Sequence, residues 1–335
     1  MSGGVDSTAC TLLLREKYQV HGFFMALAQP TLTEQLQRVR EVAERCEVPL
    51  TVIDLRQRFE EKVLDYFAQS YHRGYTPNPC MICNREIKFG LFMDAMFEQG
   101  MTAMATGHYA NIVRKDGCLH LQQGRDEKKD QSYFLARLSQ QQLAAIQFPL
   151  GGMTKESTYD FVESHGFHDF RGQESQDVCF LGDDSVGRFL QKRTPTGNTE
   201  GDIVHVNGQL LGRHRGIFNY TIGQRRGLGI AASAPLYVLS IDAAANRIIV
   251  GTNDDLFKKE IRIKNILWNC DHPPLPDKDY RVRIRYGQKS QQARITTIGS
   301  DQYSINFTEK QRAVTPGQFA VIYDNSLVLG SGEIE

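Results

Sequence analysis

Ser2-Gly3-Gly4-Val5-Asp6-Ser7 is the stretch on which the reading of this chain turns. It runs directly into Ala9, Leu12 and Leu13, apolar at helical spacing, so the glycines fall at a helix N-terminus. Two glycines beside small hydroxyl residues let backbone N–H groups converge on an anion, and the helix dipole adds to the attraction. The spacing and the lack of a lysine exclude both the Walker loop and the dinucleotide fingerprint. The reading is a phosphate-binding turn that opens an α/β domain.

Working outward, residues 20–25, 50–55 and 102–106 read as strands. Leu36, Val39, Ala43 and Cys46 mark one intervening helix face, Phe59, Val63, Tyr66 and Phe67 another, and residues 84–99 a third helix. Strands alternating with helices predict a parallel sheet covered on both faces. After about residue 195 the segments become short, β-rich and Gly-punctuated: 203–206, 208–211, 236–241, 247–251, 280–286, 292–298 and 319–323. That pattern predicts small barrels. The expected division is a catalytic α/β domain over 1–195, a small β domain over 196–257 and a β-barrel over 258–335.

Bulk properties narrow the function. The 335 residues carry 39 basic and 39 acidic side chains, so no global field attracts nucleic acid and an RNA partner must be held by local patches. No apolar run is long enough to span a bilayer and no signal-peptide pattern is found, so the cytoplasm is the expected location. Seven cysteines, an odd count in a large chain, read as thiols, ligands or catalysts rather than a disulfide framework.

In Thr76-Pro77-Asn78-Pro79-Cys80-Met81-Ile82-Cys83-Asn84 two prolines fix an extended turn, and Cys83 falls where a helical pattern begins. A thiol at a helix N-terminus, with Arg85 and Lys88 nearby, is expected to have a lowered pKa and to be a nucleophile. No second CxxC is present to complete a structural zinc site. Cys179, between Val178 and Phe180 in the stretch 175–182, reads on its own as buried filler, as do Cys10, Cys46, Cys118 and Cys270. In Tyr280-Arg-Val-Arg-Ile-Arg-Tyr286 alternation puts Arg281, Arg283 and Arg285 on one strand face, suited to phosphates. Arg213, Arg215, Arg225 and Arg226 add charge near the domain junction, and Lys128 and Lys129 sit in a polar loop.

The chain resembles the bacterial tRNA-specific 2-thiouridylases of the MnmA type, within the PP-loop ATP pyrophosphatases. The resemblance rests on Ser2–Ser7, Thr76-Pro-Asn-Pro79, Cys83-Asn-Arg-Glu-Ile-Lys-Phe89, Ala105-Thr-Gly-His-Tyr109, Lys129-Asp-Gln-Ser-Tyr-Phe-Leu135, Cys179-Phe180, Ile222-Gly-Gln-Arg-Arg-Gly-Leu-Gly229 and Thr315-Pro-Gly-Gln318. It implies that Met1, Ser2, Gly3, Gly4, Val5, Asp6 and Ser7, with Met25 and Gly107, bind ATP, with Mg2+. It implies that Asn78, Pro79 and Cys80 surround the target base, a wobble uridine of tRNA. Cys83 is then the nucleophile and Cys179 the persulfide carrier. His108, Lys129, Asp130, Gln131, Arg285, Tyr286 and Gln318 contact tRNA, and sulfur comes from a cysteine desulfurase or relay proteins. The implied chemistry adenylates the uridine C2 oxygen, delivers persulfide sulfur to C2, and ends in a Cys83–Cys179 disulfide that is reduced. Family members differ at the Cys80 position, some carrying Asp, and Cys80, Cys83 and Cys179 are also a candidate ligand set for a [4Fe–4S] cluster. A loop of this type normally follows a buried central strand, whereas here it opens the sequence; either that strand is missing from the sequence or the sheet is built without it. Two rival readings are another PP-loop ligase and a non-catalytic tRNA-binding protein with a degenerate nucleotide loop.

Overall fold

The computed structural model describes residues 1–171, 178–194, 199–271, 273–275 and 277–335. The polar residues before Cys179 and the expected first boundary near 195 lie outside the described residues.

The N-terminal part is α/β. Helix α1 (Val5–Arg15) buries Val5, Ala9 and Leu12 in a cluster with Tyr109, Tyr159 and Val162. Strand β1 (Gly22–Ala26) is followed by α2 (Leu32–Arg45), which buries Val39, Val42 and Ala43, and by β2 (Leu50–Asp54). β1 and β2 pair in parallel from Gly22↔Leu50 to Ala26↔Asp54. β3 (Met104–Ala105) also pairs in parallel, with Ile146–Gln147. The parallel pairing expected from the sequence is present, but in two separate two-stranded pieces. A cavity of about 1410 Å³ is lined by both β1 and β3 and so occupies the space between the pieces.

The sequence pattern gave no sign of a hairpin at 110–123. Its strands, β4 (Ala110–Lys115) and β5 (Cys118–Gln123), extend the sheet of the C-terminal barrel rather than the parallel sheet. The central module is a four-stranded sheet over Gly201–His205, Leu210–His214, Tyr237–Asp242 and Arg247–Gly251, with one parallel pairing.

The last module is a closed six-stranded barrel of Phe257–Trp268, Asp279–Arg283, Gln291–Gly299, Gln302–Arg312, Phe319–Asp324 and Leu327–Ile334. Closure comes from Phe257–Trp268 pairing on one side with Gln302–Arg312 and on the other with Leu327–Ile334. Its interior holds Ile261, Ile263, Val282, Ile295, Ile305 and Phe307.

One expectation fails here. The strand carrying the alternating arginines ends at Arg283, so Arg285 and Tyr286 lie in the following turn. Arg281 is exposed, but Arg283 turns inward to a 2.8 Å ion pair with the buried Asp130 of the catalytic half. The three arginines form no common phosphate-facing row, because a buried carboxylate claims the middle one. That pair, the Tyr133 hydroxyl on the Phe319 carbonyl (2.9 Å) and the Gln122–Ser326 bond (3.0 Å) fix the barrel to the catalytic half.

Candidate active site

Gly3 has φ +75°, a conformation a side chain would strain, and Gly4 is the extended residue that begins α1. No side chain caps α1, so its first N–H groups remain directed out of the helix end. Ser7 Oγ instead closes the loop on itself, donating to Gly4 O at 3.0 Å and accepting from Ser2 N at 3.2 Å. Gly107 packs against this turn so closely that a Cβ there would lie 2.6 Å from the backbone carbon and oxygen of Asp6. Both features suit a loop that closes over phosphate.

Asp6 is held by residues that sequence reasoning did not single out for a role. Lys155 Nζ lies 2.8 Å from each Asp6 carboxylate oxygen, and the Tyr109 hydroxyl bonds Oδ1 at 2.8 Å. Lys155 opens the helix Lys155–Ser164, capped by Thr154, and its ammonium lies over the Tyr159 ring at 5.2 Å. The Thr154–Ser157 capping pattern was the available signal. Nothing local revealed that the cation behind it reaches residue 6.

The same cavity takes in Cys80, Cys83 and Cys179, together with Asp6, Ser7, Met25, Gly107, His108 and Gln131. Asn78 is the true helix cap, its Oδ1 accepting from Met81 N at 3.3 Å. The helix therefore starts at Pro79, and Cys83 lies a full turn inside, its N–H already directed to the carbonyls of Pro79 and Cys80. This corrects the expected thiolate. Burial pushes the Cys83 thiol up to about 12, and Lys88 offsets only part of that. Cys179 is exposed, not the buried filler its apolar neighbours suggested, because Val178 and Phe180 pack inward and leave the thiol at the cavity surface. Desolvation there still pushes it up to about 11, with Cys80 adding in the same direction and Lys88 opposing. Burial raises Cys80 as well, again opposed by Lys88. Arg85 does not share this role; it pairs with Glu86 at 3.3 Å.

The [4Fe–4S] expectation finds no support: among the described residues no three His, Cys, Asp or Glu side chains are grouped to hold a metal ion. All three thiols line the cavity.

Around them the expected RNA contacts divide. His108 is held by Thr106 Oγ1 at 2.7 Å and approached by Lys88 Nζ at 3.5 Å; burial, then Lys88, keeps its pKa well below the usual histidine range, so it is neutral. Tyr286 stacks near Phe134 (4.3 Å between centroids), which lines the cavity, and Arg285 beside it is exposed. Asp130 is buried, accepting from Gly124 N, Ser132 N, Ser132 Oγ, Gln123 Nε2 and Arg283 Nη1. Gln131 Oε1 accepts from Tyr109 N at 3.0 Å, and Lys129 is half-buried. Gln318 Nε2 donates to the carbonyls of Thr76 (2.9 Å) and Pro77 (3.2 Å), tying the barrel to the Pro-rich turn. Asp130 and Gln318 thus hold elements together rather than facing outward.

Comparison with known proteins agrees with this layout. Family models match in three consecutive blocks: a tRNA methyl transferase HUP domain over residues 1–183, a tRNA methyl transferase PRC-barrel domain over 187–252 and an aminomethyltransferase beta-barrel domain over 258–334. Among curated proteins, the chain is 51% identical over 335 residues to the tRNA-specific 2-thiouridylase MnmA of Desulfotalea psychrophila, spanning 100% of this chain and 97% of that one. It is 43% identical to the proteins of that name from Syntrophotalea carbinolica and Syntrophomonas wolfei, over 100% of this chain and 97% and 98% of theirs.

Proposed function

The chain belongs to the tRNA-specific 2-thiouridylase family, and we propose that its cavity activates the C2 oxygen of a tRNA wobble uridine with ATP and replaces it with sulfur carried on Cys179. It is a tRNA sulfurtransferase. The observation that carries the proposed route is that one cavity holds the phosphate loop, Lys88 and the thiols Cys83 and Cys179. The methyl transferase label of the family models sits on the same domains, but full-length relatives at up to 51% identity are 2-thiouridylases, and a thiol-lined ATP-type cavity suits their chemistry.

The loop Ser2–Ser7, with Met1, Met25 and Gly107, receives ATP, whose α-phosphate turns the uridine oxygen into an AMP leaving group as pyrophosphate departs. Mg2+ is the expected counter-ion for those phosphates. Lys155 neutralises Asp6 in the resting loop, so the carboxylate does not repel the incoming triphosphate. Asn78, Pro79 and Cys80 border the target base. The terminal sulfur of a Cys179 persulfide bonds to C2 and AMP leaves. Cys83 thiolate then attacks the Cys179 sulfur, the S–S bond to the transferred atom breaks, and its electron pair stays on the sulfur now held by C2. The Cys83–Cys179 disulfide left behind is reset by a two-electron thiol reductant. Lys88, whose charge acts on all three thiols, favours each thiolate formed along this route. A cysteine desulfurase or a sulfur-relay protein supplies the persulfide. His108, Lys129, Gln131, Arg285 and Tyr286 form the RNA-facing rim, with Asp130 and Gln318 positioning it. Among the described residues no helix is long and apolar enough to cross a membrane.

The test is nucleoside mass spectrometry of tRNA incubated with the protein, ATP and a persulfide donor. Formation of 2-thiouridine, abolished without ATP or in Cys179→Ser, is expected. Product formed by Cys179→Ser at the wild-type rate would overturn the assignment of the carrier.

A further inference from the structure

The loop Ile222-Gly-Gln-Arg-Arg-Gly-Leu-Gly229 of the central module has no part in the route above, yet it is firmly built. Gly223 N donates to Val238 O (2.8 Å) and Val238 N to Gln224 O (3.0 Å), pinning the loop base to the central sheet. Gln224 Nε2 donates to Arg226 O at 2.9 Å and its Oε1 accepts from Thr221 N at 3.1 Å, so one side chain braces the turn from inside. Leu228 is buried, whereas Arg225 and Arg226 are exposed at the tip. Among the described residues neither arginine has an ion-pair partner. Holding two adjacent guanidinium groups out on a braced turn without a carboxylate gains nothing for the fold, since like charges repel and the side chains stay solvated.

The loop also lies against the barrel at a telling place. A Cβ on Gly223 would be 3.0 Å from Ala313 Cβ and 4.0 Å from Arg312 Nη1. Arg312 is fixed by Asn253 Oδ1 (3.0 Å) and stacks on the Tyr237 ring (5.3 Å). Its carbonyl accepts from Arg285 Nη2 at 3.3 Å. Arg285 is next to Tyr286, whose ring meets Phe134 at the cavity. Arginines therefore succeed one another from the cavity rim, across the barrel, onto the central module, in a protein of zero net charge.

We propose that this succession, Arg285, Arg312, Arg225 and Arg226, is a binding track for the sugar-phosphate backbone of the tRNA whose target uridine occupies the cavity. The Arg225–Arg226 tip is its far end. Arginine forks match phosphate oxygens, and a polyanion relieves the repulsion among the guanidinium groups. The proposal rests on the 2-thiouridylase reading, and its test separates the two.

Binding of full-length tRNA is measured by fluorescence anisotropy across a salt series for wild type, Arg225→Ala/Arg226→Ala and Arg225→Lys/Arg226→Lys. Deprived of two phosphate-binding cations, the alanine variant is expected to bind at least roughly tenfold more weakly at ~0.1 M salt, and its log–log salt slope to be shallower by about 1.5–2. The lysine variant is expected to keep the wild-type slope, since a phosphate accepts either cation, which distinguishes lost charge from a damaged loop. Wild-type affinity and slope in the alanine variant would overturn the track while leaving the sulfur-transfer reading standing. Absence of tRNA binding by the wild type would overturn that reading itself.

Discussion

Replacing Arg283 by Met tests whether the catalytic half and the barrel act as one body. The Arg283–Asp130 pair is short (2.8 Å) and its side chains are 12% and 1% exposed, so it is not weakened by solvent as a surface pair is. Removing one member of such a pair costs about 3–5 kcal/mol, because the other charge is left buried. Two features decide where in that range this case falls. Asp130 keeps four other donors, from Gly124, Ser132 twice and Gln123, and among the described residues Arg283 Nε has no hydrogen-bond partner, so the pair is not fully satisfied. Against that, the guanidinium also lies over the Tyr323 ring at 5.3 Å, worth about 0.5–1 kcal/mol. The expected loss is about 3 kcal/mol. The sole tryptophan, Trp268, lies on a barrel strand, so its fluorescence in urea reports the barrel, and far-UV circular dichroism reports the whole chain. The double variant Arg283→Met/Asp130→Asn is expected to recover more than about 1 kcal/mol of the loss, since no uncompensated charge remains. A loss under about 1 kcal/mol for Arg283→Met, or no recovery in the double variant, would refute the assignment of this pair as the staple between halves.

Further outcomes follow from the site. Alkylation of Cys83 and Cys179 by iodoacetamide, located by peptide mass spectrometry, should rise about tenfold per pH unit from pH 7 to 10, as thiols at about 12 and 11 require, and Lys88→Met should slow it; a plateau near pH 8 would contradict the desolvated thiols. Gly107→Ala should abolish ATP-dependent sulfur transfer and raise the ATP Kd at least tenfold by calorimetry, because its methyl would meet the Asp6 backbone at 2.6 Å. Lys155→Met, leaving Asp6 unneutralised toward the phosphates, should weaken ATP binding with little effect on tRNA affinity. His108 has a folded pKa below its unfolded one, so the unfolded state binds the extra proton and stability should fall as pH drops below about 6.5; His108→Asn should flatten that part of a urea-midpoint profile.

The elements legible in the sequence were those whose pattern is local. The glycine turn and α1, the runs at 50–55 and 247–251 and the barrel runs at 280–286, 292–298 and 319–323 were read from patterns in their own residues. The barrel strands that no pattern announced were Phe257–Trp268, Gln302–Arg312 and Leu327–Ile334. The first two carry lysines, glutamates and polar residues on their outer face, and the last is broken by two glycines. Their strand character comes from closing the barrel, a non-local condition that no window contains. The arginine row failed for the same reason: alternation places Arg281 and Arg283 on one face, but only the packed structure shows Asp130 beneath it.

For the site, which residues gather around one cavity was legible and their electrostatics was not. The motifs named Cys83 and Cys179, and the cavity contains both. The inference that Cys83 would be acidic used the helix dipole and two neighbouring cations, effects of about a kcal/mol at an exposed helix end. Two facts of the fold reverse it. Asn78 takes the cap position, moving the thiol a turn away from the strongest part of the dipole, and burial penalises the thiolate by more than Lys88 returns. On the route proposed above, a neutral thiol pair is the better resting state for holding a persulfide beside an activated base. An ionised Cys83 would attack the Cys179 persulfide before the uridine arrived, forming the disulfide and releasing the sulfur unused. On that route the raised thiol pKa values guard the sulfur, and the Lys88 charge opposes the rise at Cys80, Cys83 and Cys179 alike.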